Sequence, residues 1–158
     1  RGTLAVPGEV FSAARARMEQ PTPRVGLGQA LRGVASSAID ISDGLVGDLG
    51  HILRASGVGA CIDTSVAMDL IAACLHAAVV SSHFDAEKQL EFVLAGGDDY
   101  ELAFTAPPAQ RAAVQAAAQA SATPVTRIGH IEAAPGLRLV DGQGQPVTRC
   151  FASFDHFA

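Results

Sequence analysis

Apolar positions along the chain fall into alternating blocks of helical and strand spacing. After Pro7, the residues Val10, Phe11, Ala14 and Met18 share one helical stripe, which predicts a helix over 8–18 lying on a sheet face. Pro21 to Arg24 reads as a turn, 25–34 as a shorter helix and 36–41 as a strand. Beyond Gly44, the set Leu45, Leu49, Ile52 and Leu53 predicts a helix that Ser56-Gly57 stops. A second strand is expected over 58–63, running into a loop at Thr64-Ser65, and helical pattern returns over 70–80. Leu90, Val93 and Leu94 mark a helix over 87–95 that Gly96-Gly97 breaks. Tyr100, Leu102 and Phe104 then alternate with Glu101 and Ala103 at strand period. Pro107-Pro108 opens an alanine-rich helix ending near Ala120. Strand character at 125–131 and 137–140, with a turn at 141–144, predicts a terminal hairpin. The expected fold is a single layered α/β or α+β domain over 1–158, a mixed sheet covered by helices, with no internal repeat.

Composition narrows the possibilities. A chain of 158 residues, 49% hydrophobic and 17% charged, can bury a substantial core. A net charge of -5 lacks the basic footprint of a nucleic-acid partner. The apolar stretch 70–80 is broken by His76 and too short to span a membrane, and no signal peptide is visible, so the expected compartment is the cytoplasm. Cys61, Cys74 and Cys150 are odd in number and widely spaced, a pattern for reduced core thiols rather than disulfides or a zinc site. The five histidines are scattered and read as surface or core residues. Because the chain begins at Arg1 and opens directly into helix pattern, it is expected to be part of a longer protein.

Two glycine-marked segments carry the chemistry. Ala38-Ile39-Asp40-Ile41-Ser42-Asp43-Gly44-Leu45 lies in a stretch with no lysine or arginine between Arg32 and Arg54, and Ala95-Gly96-Gly97-Asp98-Asp99-Tyr100-Glu101-Leu102 lies in another between Lys88 and Arg111. Two carboxylates about 4 Å apart repel by about 4 kcal/mol at an effective dielectric near 20, so such acids spread apart, take up protons or bind a cation. Strand alternation directs Asp40 and Ser42 to one face and Ile39 and Ile41 to the core, and Asp43-Gly44 turns the chain into a helix. Two carboxylates and a hydroxyl beside a helix N-terminus suit magnesium and phosphate together. The competing structural reading makes Ser42 an N-cap and Asp43 a complement to the helix dipole. In the second segment, Gly96-Gly97 permits left-handed backbone or close approach of a ligand, and of the adjacent acids one can bind ligand while the other braces the turn. A solvated turn is the competing reading there. P-loop, zincin, nucleophile-elbow and C-x-x-C motifs are absent.

Residues 36–45, Asp48-Leu49-Gly50-His51-Ile52, Ser56-Gly57-Val58-Gly59-Ala60, Leu94 to Leu102 and the ending Phe154-Asp155-His156-Phe157 together resemble the thiamine-monophosphate kinase family, in the second half of that enzyme. The wider superfamily includes aminoimidazole ribonucleotide synthetase and selenophosphate synthetase; the Gly-Gly-acid-Asp-Tyr-Glu-Leu run is particular to the thiamine enzyme. The resemblance implies ATP- and Mg2+-dependent phosphorylation of thiamine monophosphate to thiamine diphosphate by direct in-line transfer. It implies that Asp40 and Asp43 bind Mg2+, that Ser42 contacts the nucleotide, and that Asp98, standing where the family usually has glutamate, contacts the thiamine moiety. Phe154 matches a position where a ring stacks on the cationic thiamine. It further implies a missing N-terminal ATP-binding domain, a homodimer at full length and an inactive isolated half. Another superfamily member with a different phosphate acceptor, and a non-catalytic ligand-binding module, are the alternatives.

Overall fold

A computed structural model describes residues 8–72, 85–97, 100–149 and 151. The elements in chain order are α1 Gly8–Glu19, α2 Val25–Ala30, β1 Ser37–Asp40, α3 Leu45–Ser56, β2 Gly59–Asp63, α4 Thr64–Ala72, α5 Ala86–Ala95, β3 Leu102–Thr105, a 3-10 turn Pro108–Gln110, α6 Arg111–Ala120, β4 Gly129–Glu132 and β5 Gly136–Val140. Among the described residues the strands form two sheets. β1 and β3 pair antiparallel, and β2 lies between β4, antiparallel to it, and β5, parallel to it. The layered α/β class expected from the sequence is therefore the class observed. No helix among the described residues is long and apolar enough to cross a membrane.

The central packing element is α3. Its residues Leu45, Leu49, Ile52 and Leu53 are buried, each contributing roughly 1.5–3 kcal/mol by leaving water. Leu45 joins Leu94 and Ala103 against one side of the β1–β3 ladder, with Ile39 and Ile41 packed on them. Leu49 and Leu53 join Ala60, Ile62 and Ala67 on one face of the three-stranded sheet. One helix thus supports both sheets. The other side of β1–β3 is covered by α2 and α6, through Leu27, Leu31 and Ala117 against Leu102 and Phe104. Gly57, at φ 65, closes α3 in the left-handed conformation that glycine adopts without strain.

The structure departs from the sequence expectations at four places. Phe11 and Met18 of α1 are 56% and 63% exposed, so this helix does not lay them on a sheet. Thr64 and Ser65 are the first turn of α4 rather than a loop, because the Asp63 carboxylate accepts from the Ser65 backbone N–H at 3.0 Å and its hydroxyl at 2.6 Å and so caps the helix. The short helix beginning at Val25 is regular only to Ala30. The terminal hairpin is also different: β4 and β5 do not pair with each other but flank β2, and the turn at 141–144 returns the chain onto β5, with Val147 N–H donating to the Leu139 carbonyl at 2.9 Å.

Candidate functional site

The first acidic segment sits where β1 runs into α3. Asp40 ends the strand, opposite Leu102, and is exposed; Ile39 and Ile41 pack into the core, as alternation requires. The ladder continues one step further, with Ile41 N–H donating to the Glu101 carbonyl at 2.9 Å and Tyr100 N–H to the Ile41 carbonyl at 3.3 Å. The chain then turns through Ser42, Asp43 and Gly44. Gly44, at φ 108, occupies the N-cap position without any side-chain cap.

Ser42 is therefore not the cap that its residue type suggested. Instead, the backbone N–H groups of Ser42 and Asp43 donate to one oxygen of Asp48, at 2.9 and 3.1 Å. Asp48 projects back from the first turn of α3 and is only 4% exposed. A buried carboxylate is costly unless hydrogen-bonded, and these two donors offset the cost while holding the turn to its helix. The sequence shows Asp48 as one more acid; its buried position on the Leu45-Leu49 face is the signal of a structural role.

The second segment packs directly onto the first. A Cβ placed on Gly97 would lie 2.4 Å from the Ser42 carbonyl oxygen, and one on Gly44 would lie 3.0 Å from the Ala95 backbone. The two glycine-marked segments are in contact because neither carries a side chain there. Gly96 has φ -69 and ψ 140, ordinary extended backbone, so these glycines serve close approach of the protein's own chain rather than left-handed geometry. The left-handed residue after them is Tyr100, at φ 54. Asp98 and Asp99 lie outside the described residues, as does Phe154; Phe151 packs against the Leu45-Leu94-Ala103 cluster.

Around the second segment the shortage of cations is a property of the linear sequence only. Glu101 accepts from Arg24 Nε at 2.8 Å and Nη2 at 2.6 Å, and also from Arg17 Nη2. The hydrogen bond to Glu101 raises the pKa of the Arg24 guanidinium. Glu91 pairs with Lys88 and Arg149, and its carboxyl is held below the usual range, first by the Lys88 hydrogen bond. Glu101 is thus a structural anchor joining α1 and α2 to the second segment. Asp40, exposed, and Asp43, half-buried, lie at the turn between β1 and α3. Two carboxylates at a solvent-facing turn match the sparse protein ligand set of Mg2+, which keeps its remaining positions for water and phosphate oxygens. The first-turn N–H groups of α3, with no side-chain cap, add a favourable environment for anionic oxygen.

Residues 7–142 match the family described as AIR synthase related protein, C-terminal domain. The chain is 44% identical over 140 residues to the thiamine-monophosphate kinases of Salmonella typhimurium and Escherichia coli K12, in each case covering 88% of this chain and 41% of the relative. The chain therefore spans less than half the length of these relatives. Among solved structures, thiamine-monophosphate kinase from Stenotrophomonas maltophilia superposes with a TM-score of 0.74 at 37% identity, over 91% of this chain and 42% of that one. AaThiL complexed with AMPPCP and TMP superposes with a TM-score of 0.68 at 25% identity, over 99% of this chain and 44% of that one.

Proposed function

The chain belongs to the AIR synthase related protein family, as its C-terminal domain, and on that premise we propose that it forms the C-terminal half of a kinase converting thiamine monophosphate to thiamine diphosphate with ATP. The observation that carries this reading is the contact of the two acidic segments, Gly97 against the Ser42 carbonyl. That contact sets Ser42 and Asp43, proposed for nucleotide and metal, against the residue preceding Asp98, the proposed substrate contact. The similarity to curated thiamine-monophosphate kinases and to a relative solved with AMPPCP and TMP supports the substrate assignment.

In this proposal Asp40 and Asp43 hold Mg2+, which when bound neutralises phosphate charge during transfer. Asp48 keeps the Ser42-Asp43 main chain fixed to α3, so the ligating carboxylates start from a set position. Ser42 donates its hydroxyl to the nucleotide. Asp98 offers a carboxylate to the cationic thiamine moiety, one methylene shorter in reach than the glutamate usual at this position, and the Phe154 ring stacks on the same cation. No side chain becomes covalently modified: the chain contributes positioning and charge, and phosphoryl transfer runs directly between the two substrates. The remaining ATP contacts come from an N-terminal domain, the full-length enzyme is a cytoplasmic homodimer, and the 158 residues by themselves do not turn over.

The test is turnover by the full-length protein with ATP and Mg2+, comparing thiamine monophosphate with the acceptors used elsewhere in the superfamily. Thiamine diphosphate formation that depends on both ATP and Mg2+ is the expected result. Turnover of a different acceptor, or binding of thiamine monophosphate without phosphorylation, would overturn the proposal.

A further inference from the structure

The face of the three-stranded sheet turned away from α3 carries a second constellation, outside the acidic turn. Cys61 on β2 stands directly opposite His130 on β4, and Glu132 follows two residues along β4 on the same face. One ligand atom from each of the three lies within 4.8 Å of the others, and His130 Nε2 is 3.3 Å from Glu132 Oε1. Cys61 is a half-buried free thiol.

The Glu132 carboxylate is held in place by another strand of the sheet. Arg138 on β5, paired with Cys61 from the other side, reaches across β2 and binds the Oε2 oxygen of Glu132 through Nε and Nη2. That leaves Oε1 as the oxygen directed at His130. Arg138 is itself held by the Ala134 carbonyl at 2.7 Å. Its path is open because residue 59 is glycine: an added Cβ there would lie 2.6 Å from Arg138 Nη2. A carboxylate oriented by an anchored partner is the usual outer-shell device of metal sites.

We propose that Cys61, His130 and Glu132 form a zinc-type metal site joining edge strand β4 to central strand β2. Sulfur, imidazole nitrogen and a single carboxylate oxygen suit Zn2+, which takes three protein ligands and a water in tetrahedral geometry; Mg2+ prefers oxygen alone. Binding takes the thiol as thiolate and releases its proton to solvent, and takes the imidazole neutral. The site is independent of the kinase reading, since none of its residues belongs to the acidic turn. Separations of 69 residues between Cys61 and His130 place it beyond any motif readable along the chain.

The probe is Co2+, whose spectrum reports ligands that Zn2+ hides, titrated into the full chain in the presence of excess Mg2+ to occupy oxygen-only sites. Saturable 1:1 binding with a thiolate-to-cobalt charge-transfer band, displaced by Zn2+, is the expected result. In Cys61→Ser the band is lost, and in His130→Gln affinity falls by at least about tenfold, the scale reached by outer-shell changes alone. Circular dichroism confirms that both variants fold, and Zn2+ raises the thermal midpoint of the unsubstituted chain but not of Cys61→Ser. A band that persists in Cys61→Ser assigns the sulfur to another cysteine and overturns the proposal. So does the absence of saturable Co2+ or Zn2+ binding under these conditions.

Discussion

Replacing Gly97 with alanine probes the contact on which the proposed site depends. The new Cβ would stand 2.4 Å from the Ser42 carbonyl oxygen, where side-chain carbons essentially never come closer than 3.0 Å. The obstructing atom belongs to the main chain, which Asp48 ties to α3, so no side-chain rotation relieves the clash. One segment has to retreat from the other by about one ångström before ordinary van der Waals contact is restored. A displacement of about 1 Å between reacting groups costs on the order of 10²-fold in rate, or about 2.7 kcal/mol of transition-state stabilisation. The measurement is kcat/KM of the full-length enzyme for thiamine monophosphate, with thermal unfolding recorded alongside. Gly8→Ala is the control, since nothing lies within 4 Å of its added Cβ. Retention of kcat/KM to within about threefold in folded Gly97→Ala would show that the approach of the segments is immaterial to catalysis.

Four further outcomes are expected. Asp48→Ala strands two backbone donors and lowers stability by about 1–3 kcal/mol in urea unfolding, whereas Asp48→Asn loses less because its amide oxygen can accept the same bonds; equal losses would reject the hydrogen-bond account. Asp43→Asn in the full-length enzyme raises the Mg2+ concentration for half-maximal turnover by at least about tenfold without unfolding the domain, and an unshifted Mg2+ titration removes Asp43 from the ligand set. Asp98→Ala weakens thiamine monophosphate binding in calorimetry; unaltered affinity excludes it from the substrate site. The Asp63 carboxyl is held below its usual range, first by the Ser65 hydroxyl. A carboxyl depressed by folding adds stability that is complete above its unfolded pKa and lost as pH falls through the folded value, so Asp63→Asn flattens the acid limb of the stability profile; an unchanged limb refutes the assignment.

Local patterns along the chain were legible where one force decides the outcome. The Leu45-Leu49-Ile52-Leu53 stripe identifies α3 and Gly57 its end, because burial and left-handed geometry are written in residue types. The alternation around Leu102 locates β3 for the same reason. Strand partners were less legible: β4 and β5 each have strand character, but which neighbour they choose depends on packing around β2, not on the turn that follows β5. The apolar stripe of α1 was readable while the exposure of Phe11 and Met18 was not, since periodicity names a face without naming what covers it. At the site, the segment carrying Asp40, Ser42 and Asp43 stood out in the sequence. The pairing of Glu101 with Arg17 and Arg24 did not, because those cations arrive from residues 84 and 77 positions away.

The bonds from Ser42 and Asp43 into Asp48 close a loop across only six and five positions, whereas the ladder that brings up the second segment joins residues such as Ser37 and Thr105, 68 positions apart. Short closures cost little chain entropy and form early; distant ones wait for the rest of the fold. The turn bearing Asp40 and Asp43 can therefore take shape with the first turns of its helix, while arrival of the segment bearing Gly96 and Gly97 marks a late step in assembly. A nascent or partly unfolded molecule would keep the turn proposed to hold metal longer than its contact with the segment proposed to meet the substrate.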